Sequence, residues 1–304
     1  MDRTRIIRLT LLLCLLLTVA ACFFVLFSSG DGTLSAILRS THRVGEKPTK
    51  FGALHLSFLA LTLALSAGAI LLRKRITREV LDCTVFLFGV FFLVLEGYKQ
   101  LYYHAVLGEG SFQISVLPLQ LCSYVLYLSL LLPILREGRV KDVLYCFTAL
   151  FETAGGAVVI VYPLLYRELA LSVHTLLWHT AMVTVGVLIL AVRGYGRSYV
   201  RETVGSFAVF LGVFLLGLSL NVVLSPDRVG GGTPLNLFYL SPYGVTNMFL
   251  IGDVRDALGL PMAAVTYAAL LLLGASTVWL LGHLLVRRDE KSRRGRQKGD
   301  DLCE

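Results

Sequence analysis

Cys122 and His179, which lie in separate apolar stretches, are the residues of this chain best suited to covalent chemistry. A histidine that accepts a thiol proton turns the cysteine into a thiolate nucleophile, and exclusion of water strengthens the pairing. His55, Glu96, Lys99, His104, Glu152, His174 and Asn221 also lie within apolar stretches or at their edges. Ionisable groups inside membrane segments are costly and are a signal of function. At 1.5 Å per helical residue, Glu96 and Cys122 lie about 12 Å below the outer surface, Glu152 about 16 Å, His174 about 8 Å and His179 about 15 Å. His55 and Asn221 fall near outer helix ends. The polar groups thus gather in the outer half of the bilayer, while the inner half has almost no ionisable residues beyond those flanking loops. This pattern predicts a polar cavity open to the outside.

Each residue alone has a plainer reading. A cysteine in a membrane helix packs as a small apolar residue, and a buried histidine bridges helices. Glu96 and Lys99, three residues apart, neutralise each other on one helix face. Pro118 either frees a carbonyl and loosens the helix that carries Cys122, or is a first-turn proline at a helix entrance. Common depth is what joins these residues; adjacency of their helices is a tertiary property.

The elements that must position them are membrane helices. Of 304 residues, 56% are hydrophobic and 16% charged, with a mean hydropathy of +0.75. Soluble domains carry about 25% charged residues. The apolar residues come in blocks long enough to cross a hydrocarbon core of about 30 Å, at 9–27, 52–72, 80–104, 114–135, 143–163, 169–192, 203–224 and 262–286. Blocks of this kind must satisfy their backbone groups internally and so form helices; the alternation of a barrel is absent. The expected fold is an all-α polytopic bundle of about eight spans.

Basic residues order the loops. Of the 28 Lys and Arg, 20 fall on the side of the two termini, 7 on the other side, and Lys99 inside a span. The positive-inside rule then places both termini in the cytoplasm. The net charge of +8 is accounted for by topology and contact with anionic lipid, and no nucleic-acid partner is implied. Residues 1–50 read as a membrane anchor and outer loop, 51–286 as the membrane core and 287–304 as a basic disordered tail. Arg3, Arg5 and Arg8 before the first apolar run also fit a signal sequence, with Val19-Ala20-Ala21-Cys22 resembling a lipoprotein cleavage box, although the run continues through Phe27. Segment 225–261 is too long for a simple connector and is expected to fold back over the outer face. None of the six cysteines lies in an outer loop, which argues against a disulfide framework. No metal-ligand spacing or P-loop is present, so neither a metal, a cofactor nor ATP hydrolysis is expected of the chain itself.

Leu117-Pro118-Leu119-Gln120-Leu121-Cys122 resembles the Leu-Pro-Leu-His-Leu-Cys signature of the YwaF family of bacterial integral membrane proteins, relatives of the transmembrane protein 164 acyltransferases. Other segments match in order: Phe51-Gly52-Ala53-Leu54-His55, the stretch from Glu96 to His104, Gly155-Gly156, Trp178-His179, and Asn221 with Asn236-Leu237-Phe238-Tyr239-Leu240. The resemblance covers residues 51–286 and implies a seven-span core preceded by one extra span. It also implies a multi-pass protein of the cell membrane with phospholipid or lipid-like partners. Cys122 would be the nucleophile and His179 the base in moving acyl chains between phospholipids. Gln120 stands where the family usually has histidine, which leaves His179 as the better base. Asn221 or Asn236 would donate to the oxyanion, and Glu96 or His55 would orient the histidine. Two other functions fit the residues. A transporter or permease would rely on Glu96, Lys99 and Glu152, and a scaffold would need none of them.

Overall fold

The computed structural model describes residues 32–110, 113–194, 200–225, 233–246 and 248–300. The first expected span and its signal-like alternative lie outside the described residues. Six helices among the described residues are long and apolar enough to cross a membrane. They are α2 (Ala53–Leu72), α3 (Arg78–Tyr102), the run α5 (Arg139–Phe147) to α6 (Thr153–Val161), α7 (Leu169–Arg193), α8 (Val200–Val223) and α10 (Leu260–Asp300). Shorter helices are α1 (Gly32–Ser40), α4 (Tyr124–Leu131) and α9 (Ile251–Leu258). The protein is a polytopic all-helical membrane bundle.

Local signals set several helix ends. Thr77 caps α3 by accepting a hydrogen bond from Val80 N at 3.3 Å, with Glu79 in the first turn. Gly194 ends α7 in the left-handed region at φ 61°. Helix α7 is the central element. Two thirds of its apolar window (67%) is buried, against 17% for α2 and 11% for α10. It packs against α2, α3 and α6. Gly156 permits the α6 contact, because a Cβ there would stand 2.9 Å from Val183 Cγ2 and 3.4 Å from the His179 carbonyl oxygen.

Three expectations change. The block at 114–135 is not one helix: 3-10 turns at Ile114–Val116 and Leu121–Ser123 lead into the short α4. Pro118 is the reason. It has no N–H and disfavours helical backbone at Leu117, which is extended in ψ at 140°. Irregular backbone at membrane depth is tolerated where protein satisfies it, and here side chains do so. The Pro118 carbonyl accepts Tyr127 Oη at 2.8 Å, and the Val116 carbonyl accepts Gln100 Nε2 at 2.7 Å. Depths counted at a helical rise therefore do not apply to Cys122.

The segment after α8 enters the bundle instead of lying over its outer face. Leu235, Leu237, Phe238 and Leu240 are buried. Phe238 packs on Phe214 and Tyr267, at centroid distances of 5.3 and 5.8 Å, in space left open by Gly217. Four apolar side chains in one connector are enough to draw it inward. The charged tail also differs from expectation: the backbone of α10 stays helical to Asp300. Lys, Arg, Gln and Glu are good helix formers, so the sequence can extend the helix.

Residues 41–45 run over the end of α3 and the start of α7. Val44 bridges Glu168, Leu169 N donates to the Arg43 carbonyl at 3.1 Å, and His42 Nδ1 meets Tyr102 Oη at 2.6 Å.

Candidate functional site

Cys122 is partly buried in the 3-10 turn before α4. Its carbonyl accepts Trp178 Nε1 at 3.0 Å, which ties the turn to α7 one residue from His179. Just before it, Gln120 Nε2 donates to the Asn236 carbonyl at 2.8 Å and Gln120 Oε1 accepts Phe238 N at 2.8 Å. An amide supplies donor and acceptor from one side chain, so Gln120 clips two irregular segments together.

The asparagines work similarly. Asn221 donates to the Leu237 carbonyl at 2.9 Å and accepts Leu237 N at 2.8 Å. Asn236 donates to the Val245 carbonyl and accepts Ser241 N, both at 2.9 Å. All three amides thus commit a donor and their acceptor to backbone. The segment they hold brings Tyr239 within electrostatic reach of Cys122. Burial, then the nearness of Cys122 and Tyr103, push the Tyr239 phenol up to about 12. Tyr166, in the connector before α7, is likewise raised, by burial first and then by Tyr239 and Cys122. Sequence reading gave no role to Tyr166 or Tyr239, because a tyrosine near a span end reads as an interfacial anchor.

His179 is buried, and its Nδ1 meets the Thr175 carbonyl of its own helix at 2.7 Å. Donation from Nδ1 leaves Nε2 as the lone-pair nitrogen. No hydrogen bond joins His179 to Cys122, Glu96 or His55. His174 Nε2 meets the Leu95 carbonyl at 3.1 Å, and its ring stacks on Trp178 at 5.7 Å. His55 lies apart from this group. It accepts Phe51 N at 2.8 Å on Nδ1 and bonds the Ile160 carbonyl at 2.7 Å through Nε2, tying the start of α2 to the end of α6. His104 sits in the π-turn Tyr103–Leu107 that ends α3.

Two carboxyls complete the cluster. Glu96 Oε1 takes Gln100 Nε2 at 2.6 Å and Lys99 Nζ at 2.8 Å, while Oε2 has no hydrogen-bond partner. Glu152 is 0% exposed and neither of its oxygens has a partner among the described residues. It closes the π-turn Thr148–Glu152 between α5 and α6, a distortion frequent at functional sites. Glu152, Glu96 and Lys99 all lie within electrostatic reach of Cys122. The opening at this end is a groove between α3 and α7, walled by Leu95, Leu169, Val173 and Leu177, with His174 in the wall. This groove is mainly apolar, and the amides and two of the histidines are turned to backbone.

A second polar cluster lies at the opposite end. Lys141 Nζ pairs with Asp82 Oδ2 at 2.7 Å and with Glu137 Oε1 at 2.5 Å, and Tyr145 Oη donates to Asp82 Oδ1 at 2.6 Å. Arg193 pairs with Asp142 at 2.5 Å and lies over the Tyr145 ring at 3.9 Å.

Comparison with known proteins agrees with this architecture. The model of the TMEM164 family matches residues 50–286, and the chain belongs to the TMEM164 family. No curated protein and no solved structure matches the chain.

Proposed function

We propose that this member of the TMEM164 family is a membrane-embedded acyltransferase, or lipid-remodelling enzyme, with Cys122 as nucleophile and His179 as base. One observation carries the reading: the Cys122 turn is irregular backbone inside the bundle, tethered through Trp178 to the helix that presents His179. A structural cysteine needs no such turn. The run Leu117–Cys122 supports placement with the bacterial YwaF members, and phospholipids of the cell membrane are the expected substrates.

A lipid ester enters from the outer leaflet. His179 Nε2 takes the thiol proton, and the sulfur attacks the ester carbonyl carbon. The tetrahedral intermediate collapses to an acyl thioester, and the leaving alkoxide takes the proton back from the imidazolium. An acceptor hydroxyl, deprotonated by His179, then attacks the thioester carbonyl and restores the thiol. Thiol and imidazole make no hydrogen bond here, so the mechanism requires substrate to draw the 121–123 turn toward α7. With the asparagine amides engaged in backbone, the Tyr239 phenol, within electrostatic reach of the sulfur, is the donor from the inserted segment left for the oxyanion.

The test is acyl exchange by purified protein in vesicles of defined phospholipid carrying a labelled acyl chain. Cys122→Ala is expected to abolish exchange, and unchanged exchange in that variant rejects the mechanism. The unpartnered Glu152 carboxyl favours one other reading, a transporter or permease. Solute uptake lost in Glu152→Gln and kept in Cys122→Ala would establish it.

A further inference from the structure

The groove between α3 and α7 is completed by residues that precede the matched family region. Thr41 and Arg43 form part of its lining, whereas the family model begins at residue 50. We propose that this groove is a phospholipid-binding site in which Arg43 holds the phosphate and Leu95, Val173 and Leu177 receive an acyl chain.

Size and wall chemistry suit a hydrocarbon occupant. The groove holds about 350 Å³, within the range of ligand clefts. A polar ligand would find few partners along these walls, which are mainly leucine, valine and alanine, and His174 gives its Nε2 to the Leu95 carbonyl. The rim is different. Thr41 Oγ1 is bonded to Tyr98 Oη at 3.0 Å. Arg43 is held by its backbone, through Leu169 N at 3.1 Å and the Val44–Glu168 bridge beside it. Its guanidinium is exposed and has no ion pair among the described residues. A guanidinium fixed by its backbone and free at its tip suits bidentate capture of a phosphate.

The charge pattern agrees. Loop 28–51 carries Arg39, Arg43, Lys47 and Lys50, four of the seven basic residues on the outer side. The positive-inside rule disfavours such a concentration outside, so these charges call for a separate cause. Lys50 has one, lying 3.2 Å over the Tyr162 ring; among the described residues Arg43 has none, and a ligand would supply it. The groove also connects inward. His174 in its wall stacks on Trp178, and Trp178 holds the Cys122 carbonyl. As the port through which a lipid substrate reaches the thiol, the groove rests on the acyltransferase reading; as a lipid site, it does not.

The experiment is photocrosslinking of the full-length protein in nanodiscs of zwitterionic lipid doped with a phosphatidylglycerol bearing a photoreactive acyl chain. Labelling is expected in the peptide that contains Val173 and Leu177. Arg43→Glu should reduce it about tenfold, the size of one charge-assisted contact. Ala170→Trp should block it by filling the groove, and Cys122→Ala should leave it unchanged. A photoreactive diacylglycerol, which lacks the phosphate, should label weakly and without dependence on Arg43. Equal labelling in wild type and Arg43→Glu overturns the proposal, as does full displacement of the probe by inorganic phosphate, which would mark a free-anion site. Because Arg43 is exposed, its variant tests the site even where Ala170→Trp fails to fold. Lost acyl exchange in Cys122→Ala with retained labelling separates the fate of the enzyme reading from that of the lipid site.

Discussion

The two polar clusters of this bundle follow opposite rules. At the end of the bundle opposite the groove, Asp82, Lys141, Tyr145 and Glu137 are joined in a chain of short bonds, and Lys141, only 2% exposed, meets two carboxylates. Around Cys122, among the described residues, Glu152 is fully buried with no partner and Glu96 has one orphan oxygen. A buried charge that is fully paired can be explained by packing and register alone. A buried carboxyl left unpaired costs stability that structure does not recover, and such groups persist where function needs them. The contrast separates the brace from the candidate site.

Four substitutions or conditions would break or sharpen that contrast. The largest effect is expected from Lys141→Ala, which strands Asp82 in the bundle and should cost about 3–5 kcal/mol in thermal unfolding in detergent. Replacing both partners, as in Asp82→Leu with Lys141→Met, should recover most of that loss; a double variant as unstable as the single one would show that the pair has a role beyond bracing. Next, Glu152→Gln removes a buried carboxyl that has no partner among the described residues and should leave the melting temperature unchanged or raised. If Glu152→Gln melts earlier with activity intact, the outer cluster is a brace as well.

Asn221→Ala leaves the Leu237 N–H and carbonyl unpaired in the interior and should cost about 2 kcal/mol, measurable in the same melts. It should also loosen the segment that carries Tyr239, seen as faster hydrogen exchange over 235–240. The smallest effect concerns Glu137. Burial raises its carboxyl, but the hydrogen bond and charge of Lys141, with Arg193 and Arg78, outweigh this and hold it below the usual carboxylate range. A lowered folded value contributes stability above the unfolded value of about 4.3 that is lost as pH falls through the folded one. The melting temperature of the wild type should therefore drop slightly more than that of Glu137→Gln on acidification from pH 6 to about pH 3. Identical pH profiles would show that this exposed rim of the brace contributes nothing measurable.

Much of the fold was legible. Six of the eight expected spans appear as continuous apolar runs, because hydropathy over about 20 residues is a local quantity that the bilayer reads directly. The break before Cys122 was half legible: Pro118 was visible, but its effect depended on Tyr127, Gln100 and Trp178 being placed to satisfy the freed backbone. The brace was not legible. Asp82 and Lys141 stand 59 residues apart and each looked like a loop-flanking charge. Gln120, Asn221 and Asn236 were visible as polar residues, yet their destination was backbone on the inserted segment, which no pattern of spacing expresses.

From the sequence alone came the membrane class, the succession of spans, the alternation of basic loops and the identity of a thiol and an imidazole in apolar surroundings. These follow from composition read along the chain, where each segment answers to the solvent around it. Only the tertiary structure decided which polar groups are spent on bracing and which are left without partners. That depends on which helices adjoin and how irregular backbone is satisfied, and both are set by packing between residues far apart in the chain.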